Sequence, residues 1–469
     1  MLENIMKAVK RKVKKKSLNV TTAAVVGFLL SCPLTMGEGL EITQEAGEKI
    51  LFNDKVYDKA THPFEENTFE NNVYTNNTRI EDSDSEGNIG CGLFIIIEED
   101  FGLVINNNSL ILGNRKGYNQ DGYGVWNYGS KIEKINNNGI IHGEGQDFGG
   151  GIWNYSGIIN IIENSGIIYG NSVNQTFGIR NERGGIIGKI NNSGKIIGEA
   201  GSQQARGIYN YSGTIKSIEN TGIISGEGSK LGAGVAMGPM NSIRSSIKNT
   251  SDNETKNISN TGIIYGAGNR GFGIFINGTT IRTIENSGLI AGVGNNDEAY
   301  GVQNNFNSSE IDNIKNTGKI MGISANGNSV GLSDNTGVSS ITNPIDNLGM
   351  IIGKGKSSGT GFRSESIVGD KINNFGIVYG NTYALSANSL GAVGGKNYGL
   401  LIGELNNVVI GDDEKEIKNY GIVFKVKSSD KYDVSYRYDG SEDIDVSMFS
   451  DVAAFLTFIC LSCFLMKDK

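Results

Sequence analysis

Gly151-Ile152-Trp153-Asn154-Tyr155-Ser156-Gly157-Ile158-Ile159-Asn160-Ile161-Ile162-Glu163-Asn164-Ser165-Gly166-Ile167-Ile168-Tyr169-Gly170-Asn171 is one unit of a pattern that fills most of this 469-residue chain. Three short β-prone runs are broken by Ser156-Gly157, by Asn164-Ser165-Gly166 and by Gly170. β-branched runs of this length, bounded by turn residues, read as strands. At the centre lies a phrase in which Asn164 has Ile162 two residues before it and Gly166 two residues after it. The phrase returns at Asn137, Asn192, Asn220, Asn260, Asn286, Asn316, Asn347, Asn374 and Asn419, with adjacent copies mostly 26 to 31 residues apart. Self-similarity at such a period is the signature of stacked repeats.

No segment shows a 3.6-residue apolar period, and the Leu-rich consensus of a horseshoe repeat is missing. The expected fold is all-β: a right-handed parallel β-helix of about 11–12 coils with an N-terminal cap. Strand geometry has period two, so if Ile162 points inward, Asn164, Gly166 and Ile168 share its side. The Ile168 position is apolar in every copy: Ile141, Ile196, Ile224, Ile264, Ile290, Ile320, Ile351, Val378 and Val423. Coils stacked about 4.8 Å apart turn it into a continuous aliphatic column. A buried Asn needs hydrogen-bond partners, and stacked carboxamides supply them to one another. Asn also tolerates a left-handed backbone, and Gly permits close approach or positive φ. The Asn row is therefore structural rather than catalytic.

Ile105-Asn106-Asn107-Asn108-Ser109 matches the phrase with Ser in place of Gly, and the last clear coil ends near Phe424. The β-helix is expected over 105–425. Residues 38–104 read as an N-terminal cap plus a flexible acidic segment, Glu81-Asp82-Ser83-Asp84-Ser85-Glu86, because a bare first coil would be an exposed sheet edge. At the start, Lys7, Lys10, Arg11, Lys12 and Lys14 to Lys16 precede an apolar run from Val20 to Leu34 and then Thr35-Met36-Gly37. That order is a secretory signal peptide over 1–37. Lipidation at Cys32, in Leu29-Leu30-Ser31-Cys32, is the alternative. The tail, 426–469, holds an apolar segment at 452–466 that spans about 22 Å as a helix, short of the roughly 30 Å of a bilayer core. Membrane contact is expected there, with Cys460 and Cys463 as packed thiols.

Function classes narrow quickly. The net charge is -8 and the basic residues concentrate at the extreme N-terminus, so no nucleic acid is expected as partner. The coils carry no cysteine, so disulfides do not hold them together. His62 and His142 are the only histidines and lie far apart in sequence. No catalytic, metal or cofactor-binding residue is assigned. Glu163, Glu219 and Glu285 occupy one outward slot that elsewhere holds Asn136, Asn191, Ser259, Lys315, Asp346, Asn373 and Lys418, as a solvated edge would. A glycan-processing solenoid would need carboxylates clustered with Lys or Arg in one groove. Aromatic residues are the better binding candidates: Trp126, Trp153, Tyr209 and Phe275 recur in Gly-Ile/Val-x-Asn and face outward if Val125, Ile152, Ile208 and Ile274 face the core. Tyr169, Tyr265 and Tyr379 form a second candidate row.

The basic leader running into Val25-Val26-Gly27-Phe28-Leu29 combines with a repeated Ile-x-Asn-[Ser/Thr]-Gly-x-Ile followed by Tyr-Gly or Ala-Gly. In these features residues 1–425 resemble the passenger regions of Gram-negative autotransporters (type V secretion), particularly the Ile/Asn/Gly-repeat forms of fusobacteria. The resemblance implies an exported β-helical rod at the cell surface or secreted, an adhesin-like protein that binds a host protein or glycan. It also implies a C-terminal translocating β-barrel, which the segment after Asp451 does not match. The expectation is then a separate outer-membrane barrel as partner, periplasmic retention, or a truncated passenger without function of its own. The enzyme-class alternative is a pectin-lyase-like carbohydrate-active protein.

Overall fold

The computed structural model describes residues 40–435 apart from 46–48, 53–54, 57–66, 83–88, 98–100, 116–119, 202, 239–253, 306–308, 335–340, 366–369, 388–392, 412–415 and 427–431. The expected signal peptide with Cys32, His62, residues 83–86 of the acidic run, and the 452–466 segment with Cys460 and Cys463 lie outside the described residues.

The chain folds as an all-β solenoid of about nine turns of stacked parallel strands. In the specimen unit the strands are Phe148–Tyr155, Ile158–Asn164 and Ile167–Ser172. The first pairs in parallel with Asp121–Tyr128 below and Gln175–Glu182 above, and the other two follow the same rule. Second strands stack into a 14-stranded sheet, while first and third strands share a 27-stranded sheet. The eleven-residue strand Ile377–Ala387 joins the latter by pairing with both Met350–Gly355 and Ser358–Ser364. Complete turns are fewer than the coils expected from the phrase. Towards the C-terminal end the second strands shorten, as in Gly394–Asn397 and Ile417–Asn419.

Ile152, Ile159, Ile162 and Ile168 are fully buried, as are their counterparts up and down the rod, and together they form one aliphatic core cluster. Each such side chain contributes roughly 1.5–3 kcal/mol on burial, before entropy. A single turn closes no core by itself, so stability comes from stacking.

The phrase asparagines form a continuous amide ladder. From Asn76 to Asn419, each Nδ2 donates to the Oδ1 of the Asn one rung on, at 2.6–2.8 Å. Most donate their second N–H to a main-chain oxygen of that next rung, as Asn137 does to Ile167 O at 3.0 Å. None of these asparagines has positive φ. The amide network, not left-handed tolerance, is what the position selects. The phrase glycines serve close approach: a Cβ on Gly166 would lie 2.0 Å from Gly139 O, and one on Gly194 2.1 Å from Gly166 O. A second glycine row, the Gly of the Tyr-Gly and Ala-Gly pairs and of their counterparts such as Ser225-Gly226, lets the third strand press against the first strand of the following turn. There a Cβ on Gly226 would lie 2.1 Å from Ala233 O.

The stack begins before residue 105. Val73–Asn76, Arg79–Asp82 and Ile89–Ile96 already pair in parallel with Leu103–Asn107, Leu110–Asn114 and Asp121–Tyr128. Asn76 escapes the phrase because Tyr74, fully buried, fills the isoleucine slot and Thr78 the glycine slot. Glu81 and Asp82 belong to the strand Arg79–Asp82: Glu81 is buried against Arg79, and Asp82 accepts from the Cys91 N–H at 2.8 Å. The cap proper is Leu40–Glu45, antiparallel to Lys49–Phe52 and laid in parallel on Ile89–Ile96.

Replacing Asn192 by Ala orphans the Asn164 amide and the Asn220 carbonyl. The expected loss is about 2–4 kcal/mol in urea denaturation, while Ser193→Ala next door stays within about 0.5 kcal/mol. Gly226→Ala lowers the unfolding midpoint clearly. Gly201→Ala, whose Cβ would meet nothing nearer than 4.0 Å, leaves the midpoint unchanged.

Candidate functional site

Outward positions of the first strands form two adjacent columns. One runs Phe94, Trp126, Trp153, Arg180, Tyr209, Ala236, Phe275. The other runs Cys91, Tyr123, Gly150, Phe177, Arg206, Ala233, Phe272. Val125, Ile152, Ile208 and Ile274 belong to the main core, whereas Tyr209, Phe275 and their neighbours belong to a separate cluster outside it. The expected sidedness is therefore present, but the expected exposure is not. Trp126 and Trp153 are half-buried, and Tyr209 and Phe275 are only 7% and 5% exposed. Tyr209 is covered by Tyr211 and by the Arg206 guanidinium, 4.2 Å from its ring, and Phe275 by Phe272. The four residues do not make one surface either. Trp126 and Trp153 stack at 4.9 Å and Tyr209 is reached through Arg180, but Ala236 separates Phe275 from them.

The face centres on Arg180. Its guanidinium lies 5.2–6.0 Å from the rings of Phe148, Trp153, Phe177 and Tyr209, and it pairs with Glu182 at 2.5 Å. Glu182 also accepts from Trp153 Nε1 at 3.1 Å. Gly150 leaves the room that Phe177 fills, since a Cβ there would lie 2.1 Å from Phe177 Cε2. The Phe177 ring then stacks toward Tyr123 at 6.0 Å. At the rim, Tyr128 and Tyr155 stack at 5.3 Å with Tyr128 well exposed. The result is a rigid aromatic surface with a cation held in its plane and a tyrosine edge in solvent.

The tyrosine row expected at Tyr169, Tyr265 and Tyr379 is not an exposed one. Tyr265 is buried and Tyr379 packs on the same small apolar cluster, while Tyr169 lies against His142 and donates to Glu199 at 3.0 Å. Crowding between third strands and following first strands leaves little outward space there. Glu163, Glu219 and Glu285 do share one outward slot, and each faces a lysine: Lys134–Glu163 at 2.9 Å, Lys189–Glu219 at 2.7 Å and Lys315–Glu285 at 3.9 Å. Lys134, Glu163 and Glu219 line one open groove of about 630 Å³, with Lys189 beside it. That is the grouping an enzyme of glycans would use. Both carboxylates are about half exposed. Among the described residues, no group of three or more His, Cys, Asp or Glu side chains could hold a metal ion.

Comparison with protein-family models, curated proteins and solved structures returns no match. The functional reading of this solenoid rests on its surfaces.

Two surface features escaped the sequence reading. The residue between Asn and Gly of the phrase is polar over most of the rod but becomes Leu348, Phe375, Tyr398 and Tyr420 at the C-terminal end. All four are 41–58% exposed, and the three rings stack at 4.8 and 5.0 Å. The signal was present as the variable slot of the phrase. A second amide ladder, Asn127–Asn154–Asn181–Asn210 at 2.7–2.9 Å, fixes the end of the aromatic strands. It was legible as the Asn of Gly-Ile/Val-x-Asn.

Burial pushes the Asp121 carboxyl, beside Tyr123, up to about 6 from 3.8, against the lowering effect of hydrogen bonds from Tyr123 Oη (3.1 Å) and Phe148 N–H (3.2 Å). A carboxyl raised in the folded state favours folding when protonated. Its contribution is full below about 3.8 and is lost as pH rises through about 6. Asp121→Asn should flatten the fall in melting temperature across that window relative to the parent chain, as read by thermal melts at a series of pH values.

Proposed function

We propose that this β-solenoid is an exported, cell-surface or secreted protein of autotransporter-passenger type that acts by binding rather than catalysis, as an adhesin-like contact with a host or neighbouring cell. The single observation that carries the reading is the aromatic–arginine face around Trp126, Trp153 and Arg180. Trp, Tyr and Arg on a rigid scaffold are the side chains that dominate protein-contact energetics. Here they are locked by Glu182 and by stacking, so little side-chain freedom is lost on association. The exposed ridge Phe375–Tyr398–Tyr420 adds a second apolar contact on the same rod. A rod suits such a role because it presents repeated surfaces along its length.

Two measurements test this. Protease shaving of intact producing cells, followed with an antibody to the repeats, should remove the rod without lysis; protection until the outer membrane is opened overturns surface display. Purified chain carrying Trp153→Ala with Arg180→Ala should bind target cells at least about tenfold more weakly than the parent while keeping its circular dichroism spectrum. Undiminished binding overturns the role of this face.

A further inference from the structure

The second strands carry a different surface. Over Lys131–Asn137, Ile158–Asn164, Ile186–Asn192 and Thr214–Asn220 the outward residues fall into registered columns, Lys134–Ile161–Lys189–Ser217 and Asn136–Glu163–Asn191–Glu219. Ser165, Ser193 and Thr221 form the opposite lip of the groove. Each lysine reaches the glutamate one rung on, so the Lys–Glu unit recurs every two rungs, about 9–10 Å.

We propose that this groove binds a linear, uncharged, hydroxyl-rich polymer, a neutral glycan, laid along the rod axis. This site lies apart from the aromatic–arginine face and does not rest on the adhesin reading. Three observations support it. First, the site offers donors and acceptors side by side: lysine ammonium beside carboxylate every two rungs, and amide beside hydroxyl between them. That matches hydroxyl groups, which both donate and accept. Second, each glutamate of the lining is paired with a lysine, Glu163 with Lys134 and Glu219 with Lys189 at the groove's edge, so the site carries no net charge and neither a polyanion nor a polycation is drawn to it. Third, half-buried Ile161 stands in register between Lys134, which lines the groove, and Lys189, so an apolar side chain flanks the lining where the C–H face of a sugar ring can rest. The two-rung period presents the same set of groups twice, as a chain of linked pyranose rings needs. The groove volume of about 630 Å³ is that of a small-ligand site and it is open along its length, so a polymer can extend beyond it. Exposed ion pairs of this kind contribute little to stability, so the groove can be altered without unfolding the rod.

The experiment is isothermal titration of the full chain with four probes: a neutral β-1,4-glucan hexasaccharide, a neutral N-acetylglucosamine hexamer, oligogalacturonate and heparin fragments. Binding of a neutral hexamer that changes little between low and high salt is expected. The double variant Glu163→Gln with Glu219→Gln should weaken it at least about tenfold, and Trp153→Ala with Arg180→Ala should leave it intact. Three results would overturn the assignment: no heat with either neutral hexamer at millimolar concentration, neutral binding indifferent to the glutamate variant, or preferential salt-sensitive binding of an acidic probe. Loss of cell binding in the Trp153/Arg180 variant with retained glycan binding would separate the two faces. Shortened release of reducing ends from the hexamer during titration would mark catalysis and overturn a purely binding role.

Discussion

A carboxamide shut away from water has two N–H donors and an acceptor to satisfy, and at the corner of a solenoid its nearest equivalents are the rungs above and below. Asn164 can meet that demand only if Asn137 and Asn192 stand at the same point of their own turns, and both do. The ladder therefore fixes the register of every second strand. A slip of one residue would turn Ile162 and Ile168 to solvent and leave the amide row without partners. The constraint is strict at the corner and permissive elsewhere. The connection between Met237 and Glu254 is much longer than its counterparts, yet Asn220 still donates to Asn260 at 2.8 Å.

From that register follow two outer faces of contrasting chemistry on the same turns. Where the third strand presses on the next first strand, glycine allows backbones to touch, and the outward side chains are crowded into aromatic and cation–π layers. The second strands have no such neighbour. Their outward side chains are mostly polar, with isoleucines such as Ile161 among them, and the lysines and glutamates pair. One face suits apolar, protein-like contact and the other suits hydrogen bonding along the axis. A single rod thus carries two surfaces whose ligands need not compete.

Crowding also explains why outward residues lie covered. Period two places Tyr209 and Phe275 on the outside of the first strand, and so it is. But their solvent access depends on Arg206, Tyr211 and Phe272, which belong to neighbouring columns. Likewise Asn397 holds its rung of the ladder although Gly395 occupies the isoleucine slot, because backbone pairing to Ile372 and Ile417 sets the position. A pattern that demands Ile before Asn passes over it.

The sequence by itself determined the all-β solenoid, the inward face and the amide row, because those depend on strand period and on groups that must pair with their own repeats. Translation along the axis converts a linear recurrence directly into contacts. Only the tertiary structure decided which outward residues see solvent, that Glu163 and Glu219 meet lysines from the rung below, and that Arg180 sits among four rings. Those outcomes depend on lateral neighbours and side-chain length, which a repeat period does not encode.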